Sequence, residues 1–263
     1  MRSRGPVHIV ITGASAGLGR ALAHTYAQPG IVLGLVGRDC ERIAETAVAC
    51  RSRGAAVETG AIDVCDAAAI AAWLDDFDAL HPIDLLIANA GVASTIASAS
   101  DWEGLERTVR VIDTNLYGTL NTVLPVIDRM RARRCGRIAM VSSIAALRGM
   151  AISPAYCASK AAIKAYGDSV RPLLARDGVG VTVILPGFVK TAMSDVFPGD
   201  KPFLQSAERA AAYIRRRLGA GHSEIAFPGL LAFGMRLLSI LPAALSDAIL
   251  DRLSYLPSKD RVN

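Results

Sequence analysis

"VHIVITGASAGLGRAL", residues 7–22, is the stretch on which the fold turns. Val7–Ile11 is short and mostly β-branched, which predicts a buried strand. Gly13, Gly17 and Gly19 follow in a G-x-x-x-G-x-G spacing, and a helical pattern through Leu22, Ala23 and Tyr26 runs on toward Gly30. Strand, glycine-rich turn and helix in that order predict an anion site. Small residues let the backbone approach a pyrophosphate, and the helix N-terminus offers unpaired N–H groups and positive dipole charge. Ser15, Ala16 and Leu18 fill the turn between the glycines and belong to the same predicted contact.

Outward from this unit, strand and helix alternate. Strands are predicted at Ile31–Val36, Ala55–Ile62, Ile83–Ala88, Arg137–Val141 and Val179–Leu185. Helical spacing occupies Arg38–Arg53, Ala67–Leu80, one or two helices in Asp101–Arg133, and Pro154–Arg176. Apolar strands separated by helices imply an α/β fold: a doubly wound, mostly parallel, Rossmann-type sheet with helices on both faces. No linker or repeat divides the chain, so residues 1–263 read as a single domain.

Composition fits that size of core. Of the 263 residues, 52% are hydrophobic and 20% charged, too apolar for disorder. The net charge of +5 is carried almost wholly by arginine, which reads as a solvated rim with a weak pull on anionic cofactors or lipid. No nucleic-acid partner is expected. The cysteines (Cys40, Cys50, Cys65, Cys135 and Cys157) show no C-x-x-C and no metal spacing, so they read as reduced thiols and no metal is expected. No apolar stretch precedes the first strand, so no signal peptide is expected, and the expected location is cytoplasmic.

The second strand ends Val36-Gly37-Arg38-Asp39. In the better-known dinucleotide fold a carboxylate near this point holds the ribose 2′-hydroxyl. Here Gly37 takes that place and Arg38 follows, and a guanidinium pairs with a 2′-phosphate where a carboxylate repels it. That favours NADP(H) over NAD(H), although a small backbone shift would aim Asp39 inward. Asp63-Val64, after the third strand, can accept from an adenine amino group or cap a helix. Asn89-Ala90-Gly91, ending the fourth strand, permits close contact with a ribose.

"SPAYCASKAAIKAYG", residues 153–167, predicts a helix with Ser153 as N-cap and Pro154 at its first position. Tyr156 and Lys160 then share one face. Pro172 lies inside the same helix, where a distal bend is expected.

Taken together, "TGASAGLG", "DV", "NAG", an Asn in a helix, "VSS", "YCASK" and "PGFVKT" resemble the short-chain dehydrogenase/reductase family from Val7 to about Thr191. The resemblance implies interconversion of a carbonyl and a secondary alcohol with a nicotinamide cofactor, and a catalytic set of Asn115, Ser143, Tyr156 and Lys160. Tyr156 would give or take the proton, with Lys160 favouring the phenolate and so bringing the tyrosine's proton affinity toward neutrality. Ser143 would steady charge on the substrate oxygen; Ser142 is its rival, and the family pattern selects Ser143. Asn115 would hold a water relaying protons toward Lys160, or else satisfy a helix carbonyl. Pro186, Gly187, Val189 and Thr191 resemble a clamp on the nicotinamide, with Tyr156 and Lys160 also touching the cofactor. A homodimer or homotetramer is implied as well. The rival reading is a catalytically idle NADP(H)-binding regulator.

After Leu185 the rhythm breaks. Residues 192–223 are expected to contain a substrate loop or lid, 191–205 being a mixed stretch, with a helix near Ala207–Leu218. A short strand near Glu224–Phe227 and two apolar helices before and after Pro242 make an extension over 224–263. The second of those helices is expected to turn Ala244, Leu245, Ala248, Ile249 and Leu253 inward, with Ser246, Asp247 and Asp251 away. The extension would pack within the protein or oligomer, or lie on a membrane surface as a peripheral contact. Leu147, Met150, Phe188, Met193 and Phe197 are expected at the pocket and point to a lipophilic or amphipathic carbonyl or alcohol; Arg148 would instead meet an anionic group, as on a sugar or polysaccharide precursor.

Overall fold

The structure, a computed structural model, describes residues 5–96, 98, 101–197 and 200–252. Leu253, the side chain of Asp251, and Pro198 and Gly199 of the mixed stretch lie outside what is described. The chain runs β1 (His8–Thr12), α1 (Gly17–Tyr26), β2 (Val32–Gly37), α2 (Cys40–Arg51), β3 (Ala56–Ala61), α3 (Ala67–Leu80) and β4 (Leu85–Ala88). It continues through α4 (Leu105–Ile112), a π-helical turn (Asp113–Tyr117), α5 (Gly118–Ala132), β5 (Gly136–Val141) and a 3-10 turn (Ile144–Ala146). Then come α6 (Pro154–Ala175), β6 (Val179–Pro186), β7 (Val189–Lys190), α7 (Ala192–Asp195), β8 (Gln205–Ser206), α8 (Ala207–Gly219), β9 (Glu224–Phe227), α9 (Gly229–Ile240) and α10 (Ala243–Arg252).

Seven strands form one parallel sheet in the order β3-β2-β1-β4-β5-β6-β9. Alternate side chains feed two cores. Ile9, Ile11, Leu33 and Leu35 pack with Leu22, Ile43, Ala210 and Ile214 on one face. Val10, Val36, Leu86 and Met140 pack with Ile70, Leu74, Val123 and Ile163 on the other. The chain builds outward from β1 to β3, then returns to β4 on the opposite side of β1. The crevice this reversal leaves at the carboxyl ends of β1 and β4 is where open α/β sheets bind ligands.

The sequence boundaries hold closely, with informative differences. The Asp101–Arg133 stretch is two α-helices joined without a break through the π-helical turn that carries Asn115. The mixed stretch is not a plain loop. Val189 pairs with Gln205 and Lys190 with Ser206, and Thr191 and Ser194 form a reciprocal cap that starts α7. Pro172 sits near the C-terminal end of α6, which continues to Ala175. The cysteines are unbridged, with Cys50 and Cys157 buried and the others exposed.

The extension breaks at Pro242 as expected, but α10 faces the opposite way. Ser246 is 1% exposed and Leu250 6%, whereas Leu245 is 50% exposed and Ala244 and Ala248 lie outside. The cause is polar. Arg148 donates to Ser246 Oγ at 2.9 Å and to Asp247 at 2.5 Å, drawing the hydroxyl edge of the helix inward. A buried hydroxyl needs a partner, and this contact outranks burial of an alanine stripe. On α9, Ala232 and Met235 are buried while Leu230, Phe233, Leu237 and Ile240 form an outward row at helical spacing. Among the described residues no helix is long and apolar enough to cross a membrane.

Candidate active site

Ala16 stands at the N-cap of α1 without a side-chain cap, and no acidic residue lies in the first turn. The first N–H groups of α1 are therefore left for an anion. Gly13 (φ +66°) and Gly17 (φ +51°) hold the left-handed backbone this turn needs. A Cβ on Gly13 would come within 2.9 Å of Ala90 Cα, and one on Gly17 within 3.0 Å of Thr191 Cγ2. The turn is thus pressed against both the end of β4 and the segment after β6. All of these border one cavity of about 690 Å³ at the sheet's reversal point. Gly13, Ser15, Ala16, Gly17, Leu18 and Gly19 line it from the first turn. Arg38, Asp63 and Val64 line its far end, and Asn89, Ala90 and Gly91 its floor. Tyr156, Lys160, Pro186, Gly187, Val189 and Thr191 line the near end. These side-chain-poor walls fit an extended dinucleotide.

At the far end the charges sort themselves. Asp39 borders this end of the cavity too. Its carboxylate accepts from the Arg42 N–H at 3.0 Å as the N-cap of α2, and pairs with the Arg42 guanidinium at 3.2 Å. Arg38 lies 3.5 Å from Asp63. Burial would raise the Asp63 pKa, but the Cys65 N–H bond and Arg38 hold it below the usual carboxylate range. Arg42, which the sequence reading missed, lines the same end. Its signal was available: it lies in the first turn of the helix that Asp39 caps, directly after Arg38.

At the near end α6 brings Tyr156 and Lys160 to one face, both buried. Lys160 Nζ donates to the Val141 carbonyl at 3.0 Å and stands 5.7 Å from the centre of the Tyr156 ring. Burial alone brings the Lys160 pKa down to about 8. Burial also pushes Tyr156 up to about 12, and the Ser143 hydroxyl opposes this by favouring the phenolate. Desolvation, rather than the charge of Lys160, dominates the tyrosine. Ser142 Oγ donates to the Lys160 carbonyl at 2.7 Å, so it is a strut of α6, while Ser143 Oγ accepts from the Ala145 N–H at 3.1 Å, donates to the Pro186 carbonyl at 3.4 Å and lies close enough to the phenol to favour its ionised form.

Asn115 is fully buried and does not border the cavity. Its Nδ2 donates to the Val92 carbonyl at 3.0 Å and to Ser159 Oγ at 2.9 Å, and its Oδ1 accepts from the Val92 N–H at 2.8 Å. It still sits near the lysine: a Cβ on Gly91 would lie 3.0 Å from Asn115 Oδ1 and 3.5 Å from Lys160 Nζ. The N-terminus of α6 is capped from elsewhere. Ser153 makes no side-chain cap and is tied to the Ser94 carbonyl instead. The Ala155 N–H donates to Glu103 Oε2 at 2.7 Å, and Glu103 is 8% exposed. Nothing in the sequence linked Glu103 to a helix that begins fifty residues later.

Beyond Tyr156 the cavity is apolar. Phe197 meets the Tyr156 ring edge-on at 5.6 Å and Phe188 at 6.3 Å. Met150, Phe188, Met193 and Phe197 line it as expected, joined by Ile144. Leu147 and Arg148 do not: they border a second cavity, and Arg148 is engaged by Ser246 and Asp247. In their place come Leu231 and Met235 of α9, an i,i+4 pair from the extension.

The family model described as "short chain dehydrogenase" matches residues 7–201. An uncharacterised oxidoreductase of Myxococcus xanthus is 36% identical over 246 residues, 93% of this chain and 96% of that one. Among solved structures, a short-chain dehydrogenase/reductase from Burkholderia phymatum in complex with NAD superposes with a TM-score of 0.79 at 24% identity, covering 88% of this chain and 92% of its own. A metagenomic short-chain oxidoreductase in complex with NADP gives 0.71 at 25% identity, covering 83% and 95%.

Proposed function

The chain belongs to the short-chain dehydrogenase family and is an NAD(P)-dependent oxidoreductase, and from that premise we propose that it interconverts a carbonyl and a secondary alcohol with Tyr156 as the proton carrier. The observation that carries this reading is the buried Tyr156 phenol, set against the Ser143 hydroxyl at the junction of the nucleotide groove and the apolar pocket. A bound nicotinamide dinucleotide supplies or takes the hydride. Gly13–Gly19, Asn89–Gly91 and Pro186–Thr191 hold it, and Lys160 orients the near end. In the reductive direction Tyr156 Oη gives its proton to the substrate oxygen, which Ser143 steadies as charge develops. Burial penalises the phenolate left behind, and the adjacent Lys160, whose pKa lies near 8, supplies the compensating charge. Asn115 ties the segment after β4, at Val92, to α6, at Ser159 beside Lys160, rather than touching substrate.

The preferred cofactor is NADP(H). Arg38 and Arg42 both face the far end, while the competing carboxylate of Asp39 is committed to capping α2. The substrate is lipophilic: the near end offers aromatic and thioether walls, and Arg148, the one cation considered for an anionic group, is turned away. Residues 7–191 would carry cofactor and chemistry, with 192–223 and 224–263 closing the substrate end. Tyr156→Phe is expected to keep cofactor affinity within about twofold, measured by fluorescence titration, and to lose turnover by a factor of about 10² to 10⁴. Turnover at the wild-type level would overturn the assignment.

A further inference from the structure

A second cavity of about 890 Å³ lies behind the first, between the segment before α6 and the pair α9–α10. Ala145 and Met150 wall both. The same two helices also serve both. On α6, Tyr156 and Lys160 face the first cavity, and Cys157, Ala158 and Ala161 the second. On α9, Leu231 and Met235 face the first, and Leu238 the second. The second lining is small and apolar except at Ser239, whose hydroxyl is held by the Arg236 carbonyl, and where Arg148 meets Ser246 and Asp247, and there the charge is already paired. The first cavity must hold a dinucleotide as well as the reacting carbon, which leaves little of its 690 Å³ for the rest of a substrate.

Resting on the function proposed above, we infer that the second cavity seats the distal hydrocarbon chain of an extended, uncharged carbonyl or alcohol substrate, reached past Met150. Continuity of the walls argues for this occupant. A chain whose carbonyl lies at Tyr156 meets Met150 and Ala145 next, and beyond them finds mostly alanine and leucine surfaces, with Pro154, Cys157 and Ser239 among them, before the Arg148 pair. Met150 suits the passage, since its unbranched thioether adapts to shape. The inference also gives the extension a task that an inward alanine stripe would not: α9 and α10 roof the cavity, with the polar pair anchoring the roof.

The test measures binding of a homologous series, 2-pentanone through 2-dodecanone, by calorimetry to the full chain loaded with NADP⁺, which cannot reduce them. Burying each added methylene is expected to tighten binding by roughly threefold. The double variant Ala158→Phe, Ala161→Phe places bulk in the cavity from exposed positions of α6, so the core is untouched. It is expected to bind 2-pentanone like the wild type and to lose the gain with length. A flat series in the wild type, or an unchanged slope in the variant, overturns the inference. So does a chain that sediments as a dimer which the variant dissociates, since the groove would then be a subunit contact. Binding does not need turnover, so Tyr156→Phe, which loses the same contact at the carbonyl for every member of the series, should keep the wild-type gain per methylene. Loss of the catalytic assignment and loss of this one are thereby read separately.

Discussion

Ser142 donates its hydroxyl to the carbonyl of Lys160, and Ser143, one residue on, turns toward the phenol of Tyr156. The two substitutions should therefore part company. Ser143→Ala is expected to lower kcat by about 10²-fold, with a stability loss of about 1 kcal/mol from the Ala145 N–H it leaves without an acceptor. Ser142→Ala removes a buried bond to a carbonyl that the helix already pairs and is expected to cost about 0.5–1.5 kcal/mol in denaturant unfolding. At the cofactor end, Arg38→Ala is expected to weaken NADPH by about tenfold and NADH by less than about twofold. The loss also frees Asp63, now 3.5 Å from Arg38, to repel a 2′-phosphate. Equal effects on the two cofactors in a titration would remove the case for NADP(H). Single residues were legible where a local rule governs them, as with the glycines and Arg38. Arg148 was not, because its partners lie 98 and 99 positions away and no periodicity points to them.

The helix carrying Tyr156 and Lys160 starts where the sequence places it, but its cap is not the serine that stands there. Ser153 is drawn to Ser94, and Glu103 takes over at the Ala155 N–H. A carboxylate at a helix N-terminus also suits the dipole. Glu103→Ala is expected to destabilise the protein by about 1–2 kcal/mol, and Glu103→Gln, which keeps an acceptor oxygen, to restore most of it. Unfolding by urea, followed by circular dichroism, would show the difference. Helices and strands were readable because apolar spacing and breakers are local: Pro154 opens α6 and Pro242 separates α9 from α10. The facing of α10 was not, since amphipathic counting assigns a serine to water unless a half-buried arginine waits for it.

That the sheet is parallel and covered on both faces follows from the strand–helix alternation, which narrows the strand order without fixing it. The depth at which the chemistry lies does not follow from it. Lys160 is buried, with a pKa lowered from 10.5 to about 8, and this has a consequence for the whole molecule. Below about 8 the ammonium is bound in both states, and its burial counts against folding. Between about 8 and 10.5 the unfolded chain holds a proton that the folded chain has released, so this group's contribution to stability rises with pH. Tyr156, raised from 10.0 to about 12, acts in the opposite sense above 10. The unfolding free energy of the wild type minus that of Lys160→Met is therefore expected to climb between about pH 8 and about pH 10. A level difference curve would show that the ammonium is hydrated in the fold.

The strand that completes the sheet, β9, and the two helices roofing the second cavity all come after residue 223. On the ribosome the nucleotide groove, built by β1 through β6, emerges first, and the wall confining a greasy ligand is added last. A nascent chain arrested before β9 would thus already contain the residues that grip coenzyme while lacking the shelter for anything oily, and a chaperone would meet the bare flank of β6 in the interval.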